Sequence, residues 1–321
     1  VTTLRLGTRA SALAQWQAHW VASRLQSLGV DVTLVPITTV GDRHLGTLHN
    51  MGGQGVFTKE IQQALLEDRI DLAVHSLKDL PTIQPPELVL AVVPERGPVG
   101  DVLVTRDENC RAVDQLPIRA RVGTGSLRRQ AQLLHIRRDL VLEEIRGNVD
   151  TRLRKLREGE FDAIILAEAG LRRLGFLGDD ATATDPPLIY SFLPQTQMMP
   201  AIGQGALGLE TRADDQATRE KLAPLDHAAS HFAVLAERAM LASLQGGCLA
   251  PIAALGSVAS NTLTLTGRVL SRDGAMLLEA SDTMLIDGSV THAVTEELGR
   301  TVAADLRKQG AEPLILNARR D

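Results

Sequence analysis

The chain reads as an α/β protein whose parallel-rich sheets give way, in its last third, to a small α+β unit with an antiparallel sheet. Three observations predict this. Strand-like and helix-like segments alternate over the first two thirds, as they do where helices cover both faces of a parallel sheet. In the last third, strand-like segments follow one another directly between two long helical patterns. And 321 residues with 44% hydrophobic content suffice for two or three separate cores.

Taken in order, Thr3 to Gly7 alternates as a strand, and Leu13, Trp16, Trp20, Val21 and Leu25 then recur at helical spacing until Gly29. A second strand is predicted over Val32 to Thr38. Thr58 is placed to cap a helix whose Ile61, Ala64 and Leu65 share a face, and Asp71 to His75 returns as strand. Val102 to Thr105 and the surroundings of Val122 are strands, a helix starts near Leu127, Leu140 to Ile145 is a strand, a helix starts near Asp150, and Phe161 to Leu166 is a strand. The last third opens with a helix from His227 to Leu244. Strands at Ala253 to Val258, Thr262 to Leu270 and Met276 to Ser281 follow, then a helix from Val290 to Lys308. Domain boundaries are expected at the Pro- and Gly-containing stretch Glu95 to Gly100 and around Ala223 to Asp226; no internal repeat is evident.

Composition narrows the function. A net charge of −5 gives no global attraction to nucleic acid, and 2% aromatic residues leave little to stack bases on. The two cysteines, Cys110 and Cys248, fit no metal-type spacing, so neither a metal site nor a disulfide framework is expected, and a reducing compartment is the default. With no basic leader and no apolar run near the roughly 18 residues a membrane span needs, a cytoplasmic protein away from membranes is expected. The basic residues are lopsided: five of 34 are lysine, leaving 29 arginines, of which 14 lie between Arg106 and Arg173. Arginine carries a planar fork that matches carboxylates and phosphates.

Four segments lie after predicted strands, where this kind of fold holds ligands. They are Gly7-Thr8-Arg9-Ala10-Ser11, His75-Ser76-Leu77-Lys78-Asp79-Leu80-Pro81, Gly123-Thr124-Gly125-Ser126-Leu127-Arg128-Arg129, and Arg146-Gly147-Asn148-Val149-Asp150-Thr151-Arg152. Three of them combine small or hydroxyl residues at a helix start with nearby arginine, as an anion site requires. Taken singly, each also suits an ordinary helix cap. Cys248 closes Gly246-Gly247-Cys248, where flexible backbone can expose the sulfur; standing alone the segment reads first as a structural thiol near a turn.

Together these segments, in this order, closely resemble the porphobilinogen deaminase (hydroxymethylbilane synthase) family. Gly52-Gly53-Gln54-Gly55-Val56-Phe57-Thr58-Lys59-Glu60, Asp162 to Ala167, Gly170 to Gly175 and Ile202-Gly203-Gln204-Gly205-Ala206 extend the likeness along nearly the whole chain. The resemblance implies two lobes like those of periplasmic binding proteins, residues 1–97 with 201–221 and residues 98–200, and a third domain over 222–321. It implies a transferase that deaminates porphobilinogen and condenses four units into the linear tetrapyrrole hydroxymethylbilane, on a dipyrromethane cofactor held by a thioether to Cys248. Asp79 is the implied catalytic residue, steadying the cationic methylene-pyrrolenine and moving protons. Arg9, Arg128, Arg129, Arg146, Arg152 and Arg173 are the implied carboxylate partners, assisted by Ser11, Lys78, Thr124 and Ser126, because pyrrole acetates and propionates cannot be buried unpaired. His75 is expected to be packed or hydrogen-bonded rather than catalytic. A monomer is implied, with hand-over of product to uroporphyrinogen III synthase as a possible partnership. The chain departs from the family pattern at Asn50, Gln54, Gly125 and Leu249-Ala250-Pro251, which puts in question a charge contribution from the loop over residues 42–54. Two rival readings stand: a two-lobed anion-binding protein, which would leave Cys248 and the third domain idle, and a thiol redox sensor or cysteine-nucleophile transferase, which would leave the arginines idle.

Overall fold

Two five-stranded sheets of the same topology and one three-stranded sheet form among the residues that the computed structural model describes, namely 3–39, 58–178, 187–246, 250–288 and 290–320. The first sheet contains β1 (Leu4–Thr8), β2 (Val32–Pro36), β3 (Leu72–Ser76), β4 (Leu88–Val92) and β10 (Leu207–Arg212), in the order β2-β1-β3-β10-β4. β1 runs parallel to β2 and β3, whereas β10 is antiparallel to both β3 and β4. The second sheet contains β5 (Asp101–Thr105), β6 (Arg121–Gly123), β7 (Val141–Glu143), β8 (Ala163–Ala167) and β9 (Ile189–Phe192), in the order β7-β6-β8-β5-β9. Here β6 is parallel to β7 and β8, and β5 is the antiparallel strand. In each sheet the antiparallel strand is the one the chain enters by crossing over: into β5 after β4, and back into β10 after β9.

Helices cover these sheets: α1 (Ala12–Ser27) and α2 (Lys59–Leu66) on the first, α3 (Leu127–Ile136), α4 (Val149–Arg157) and the short α5 (Glu168–Arg173) on the second. Every residue of β5 is buried, and Leu103 and Ile165 expose none of their surface, each worth about 1.5–3 kcal/mol in removal from water. Such uniformly apolar strands are what two-sided coverage demands.

The third sheet is an antiparallel meander of β11 (Ile252–Ala259), β12 (Thr262–Leu270) and β13 (Leu277–Leu285). Ser260 and Asn261 both hold positive φ, 49° and 57°, as a two-residue hairpin turn of the inverse type requires. α7 (Ala228–Ser243) and α8 (His292–Lys308) pack on this sheet, burying Met240, Leu263, Leu265, Val302 and Leu306. α6 (Gln216–Leu222) and α9 (Ala311–Arg320) complete the described helices. The expected α/β class, parallel-rich in two sheets and antiparallel in the third, is the observed one.

Strands β4, β9 and β10 and helices α5, α6 and α9 go beyond the sequence expectation. Thr58 precedes α2, but its own backbone is helical and its hydroxyl makes no capping hydrogen bond, so it begins that helix without capping it.

The two crossovers lie back to back. Gly97 N donates to Gly205 O at 3.2 Å, and Gly205 holds φ at +84°. A Cβ there would lie 2.6 Å from Gly97 O and 2.7 Å from Pro98 O, so only glycine fits. Arg96 donates from Nε to Gln204 O, and its other nitrogens form a two-pronged pair with Glu237 of α7, which exposes none of its surface. Glu237 also accepts from Gly203 N and Gly256 N, so one buried carboxylate joins both crossovers to the third sheet.

Candidate active site

The catalytic-loop candidate follows directly from strand packing. β3 ends at Ser76 and the chain turns at once into a single 3-10 turn over Leu77–Asp79. Leu77 is buried and anchors the turn, while Lys78 and Asp79 are thrown outward into the space between the two lobes. Two supports hold the loop. Ser76 Oγ accepts from the buried Gln17 Nε2 of α1 at 2.8 Å, and Arg238 of α7 donates to Leu80 O and Pro81 O, at 2.9 and 2.6 Å. Burial pushes the Arg238 guanidinium down to about 10. Behind the loop, His75 is buried and its Nε2 lies 2.9 Å from Glu210 Oε2, packed and hydrogen-bonded as the sequence reading expected.

A small cavity of about 70 Å³ is lined by Arg9, Ser11, Gln17, His75, Ser76 and Asp79, among others. Ser11 also serves the fold, since its Oγ caps α1 by accepting from Ala14 N at 3.4 Å. The first two motifs therefore converge on one spot.

The second lobe supplies the cations. α3 starts at Leu127, so Arg128 and Arg129 fall in its first turn, where both are buried. Asp101 at the start of β5 lies between them: Arg128 Nη2 donates to Oδ2 and Arg129 Nη2 to Oδ1, both at 2.7 Å. Burial alone would raise the Asp101 carboxyl, but the two guanidiniums prevail and hold it well below the usual range. The Nε atoms of both arginines are buried and have no hydrogen-bond partner among the described residues.

Lys78 reaches across from the first lobe into this group. Solvent reaches it through the cleft, but the mass of both lobes withdraws bulk water from around it and pushes its ammonium down to about 8, with Arg129 and Arg128 adding to the effect and Asp79 and Asp101 opposing it. Arg152 of α4 behaves alike: burial and Arg129 bring it down to about 10, against the pull of Asp79. Burial also lowers Arg173 to about 10; its Nη2 donates to Gly205 O at 2.7 Å, and its guanidinium lies 5.7 Å from the Trp16 ring centre of α1, so it bridges the lobes. These lysine and arginine charges are held at a cost that an incoming anion relieves.

The structure thus gathers Arg9, Ser11, Lys78, Asp79, Arg128, Arg129 and Arg152 around the cleft. Other candidates are placed differently. Thr124 is buried and its Oγ1 accepts from Ser126 N within the turn before α3. Ser126 precedes α3 but makes no side-chain cap. Arg146 pairs with exposed Glu144 on the loop before α4, and Asn148 caps α4 by accepting from Thr151 N. Cys248 and the expected loop over residues 42–54 lie outside the described residues. Asp101, Gln204, Arg96, Glu237 and Arg238 were not singled out from sequence, because each acts through partners at least 19 positions away.

The fold and the site define a protein of two similar α/β lobes with a cationic cleft between them and a third, α+β unit tied to the crossovers through Glu237. Residues 4–220 match the family model described as porphobilinogen deaminase, dipyromethane cofactor binding domain, and residues 231–308 match the porphobilinogen deaminase C-terminal domain. The chain is 48% identical to a porphobilinogen deaminase of Syntrophotalea carbinolica, covering 98% of this chain and 95% of that one. It is 47% identical to one of Geobacter sulfurreducens, covering 97% and 93%, and 46% identical to one of Shouchella clausii, covering 98% and 96%. The chain belongs to the porphobilinogen deaminase family.

Proposed function

We propose that this chain is a hydroxymethylbilane synthase: a transferase that removes ammonia from porphobilinogen and joins four units head to tail on a dipyrromethane primer. The observation that carries the reading is the charge of the cleft. Lys78, Arg128, Arg129 and Arg152 meet there, with Asp79 and Asp101 as the acids set against them among the described residues, which suits a ligand bearing several carboxylates. When bound, dipyrromethane supplies the free pyrrole α-carbon at which chain growth starts.

The residues then divide the labour. Lys78, Arg128, Arg129 and Arg152 take acetate and propionate groups, with Arg9, Ser11, Ser126, Arg146 and Arg173 at the margins and Thr124 shaping the turn that aims α3. Asp79 faces pyrrole N–H groups, stabilises positive charge as the amino group of porphobilinogen's aminomethyl arm leaves as ammonia and its methylene carbon becomes the electrophile, and accepts the proton that the attacking pyrrole α-carbon loses once the new carbon–carbon bond has formed. Arg238 and Gln17 keep its loop in place.

Cys248 is proposed as the attachment point. The other cysteine is ill suited: Cys110 is buried, its sulfur donates to Gln115 O and Asp107, and burial pushes its thiol up, away from thiolate. The proposed lobes are residues 1–97 with 201–221 and residues 98–200, with the third domain over 222–321. A cytoplasmic monomer that passes its product to uroporphyrinogen III synthase completes the reading; among the described residues no helix is long and apolar enough to cross a membrane.

The test is intact mass followed by peptide mapping of the purified protein. The expected result is dipyrromethane on the peptide containing Cys248. An active preparation with unmodified Cys248, or with the group on Cys110, would overturn it.

A further inference from the structure

Asp101 occupies a position that neither the substrate nor the general stability of the fold explains by itself. Its carboxylate is completely buried at the first residue of β5, immediately after the crossover between the lobes. Arg128 and Arg129 each donate one Nη2 to it at 2.7 Å, one to each oxygen. Their Nη1 atoms are fixed to main-chain carbonyls, Arg128 to Met199 O and Arg129 to Ile165 O. This arrangement does not use all five N–H donors of either guanidinium, and the Nε of each is left buried without a partner among the described residues. Asp101 Oδ1 also accepts from Gln204 Nε2 at 3.0 Å, and the same Nε2 lies 2.7 Å from Val99 O, so the carboxylate is bonded to the opposite crossover as well.

We propose that Asp101 is a positioning residue for the reaction: it sets the aim of the Arg128–Arg129 pair and couples that aim to the two crossovers between the lobes. Three geometric facts support it. The two guanidiniums share one anchor, so neither can turn independently. The anchor is bonded to the returning crossover through Gln204, so relative movement of the lobes pulls on it. And Lys78, which comes from the other lobe, lies within the electrostatic reach of all three groups. A carboxylate arriving at either guanidinium shares its positive charge with Asp101 and so weakens the Asp101 bonds, and the arrival is transmitted to the crossover through Gln204.

This inference rests on the reading of Arg128 and Arg129 as carboxylate partners, and a double-mutant cycle separates the two. The variants are D101N, R129Q and D101N/R129Q, each assayed as holoenzyme for kcat and KM with porphobilinogen and for retained secondary structure. D101N is expected to lower kcat/KM by about tenfold or more, with much less additional loss when R129Q is already present. Equal losses in both backgrounds would show that Asp101 supports the fold and not the arginine pair, and near-normal D101N activity would likewise overturn the proposal. Wild-type activity in R129Q alone would instead sink the carboxylate-partner reading. Should D101N fail to fold, Q204L carries the test. It leaves both Asp101–arginine pairs intact and cuts the bond to the crossover, so a several-fold rise in KM with unchanged thermal midpoint supports coupling, and an unchanged KM refutes it.

Discussion

The two lobes share a topology down to a detail that separates their roles: each carries a completely buried acid on its antiparallel strand, Glu210 on β10 and Asp101 on β5. Glu210 is hydrogen-bonded to neutral or weakly basic partners, accepting from Gln62 and Gln84 on one oxygen and meeting His75 on the other, with the Arg238 guanidinium acting on it only through space. Asp101 is surrounded by two guanidiniums and an amide. The equivalent strand, with its acid at a different point along it, thus props the backbone behind the Asp79 loop in one lobe and meets the buried arginine pair in the other. Among the described residues the first lobe presents Asp79 together with Lys78 and Arg9, and the second presents Arg128, Arg129 and Arg152.

The strongest way to break this division is Asp79→Asn. If the first lobe supplies the chemistry, turnover falls by about 10²–10⁴ while the fold and any preassembled primer are kept, since asparagine keeps size and an acceptor but neither the charge nor proton uptake. Single-turnover ammonia release measures it. A rate near wild type would make Asp79 a turn residue and move the chemistry elsewhere.

Next in size is Arg152→Ala, which tests the second lobe as the binding wall. Loss of charge-assisted bonds to carboxylate costs about 1.5–3 kcal/mol, expected as slower primer assembly and a raised KM more than a lowered kcat. Lysine in its place rescues only in part, for want of the planar fork. Unchanged KM and assembly would remove Arg152 from the cradle.

Much of this was legible in the sequence. The strand–helix alternation reported the parallel-rich sheets, because period-2 and period-3.6 patterns are local properties. The four motifs lay after strands, and three of their arginines, with Lys78 and Asp79, do meet across the cleft. What was illegible is non-local. Nothing in Asp101 announces that it will face Arg128 and Arg129, 27 and 28 residues on, instead of solvent. The short strand β9 and the returning β10 pair with strands remote in sequence, and Leu207 lies opposite Ser76 only after the chain has crossed twice. Thr124 shows a second, local use of a residue whose type suits ligand binding: its hydroxyl accepts from Ser126 N in the turn before α3.

Lys78 sharpens the comparison, because it belongs to the first lobe and works with the cations of the second. Its ammonium titrates near 8 in the folded apoprotein against an ordinary 10.5. Between those values the unfolded chain binds more protons, so this group makes the apoprotein more stable as pH rises from about 8 toward 10.5. Anion binding has the opposite sign. As pH climbs from 7 to 9 the charged form becomes the minor one, and affinity for a preformed linear tetrapyrrole falls by about tenfold. Lys78→Arg stays charged throughout and should flatten the profile. A wild-type affinity independent of pH over that interval would show that Lys78 takes no part in holding the anion.

The smallest effect is expected at Glu210, and it is the one that tests whether the two buried acids differ in kind. Glu210→Gln keeps an oxygen for Gln62 and Gln84 to donate to, and its amide can donate to His75 Nε2 if that ring carries its proton on Nδ1. The net cost is then about 1 kcal/mol of stability, with kcat close to wild type. The acid limb should also change. Burial raises the Glu210 carboxyl, but the bonds from His75, Gln62 and Gln84 outweigh it and leave it below the ordinary carboxylate value. Its stabilisation is therefore present above the unfolded pKa and lost as pH falls through the folded one, and glutamine removes that dependence. Thermal midpoints of the two proteins from pH 7 down to pH 3 measure it. Curves that stay parallel on acidification would show that the Glu210 carboxylate does not supply this stability, and a loss of activity comparable to that of D101N would show that Glu210 also answers to charge in the cleft and that the lobes do not divide the work as proposed.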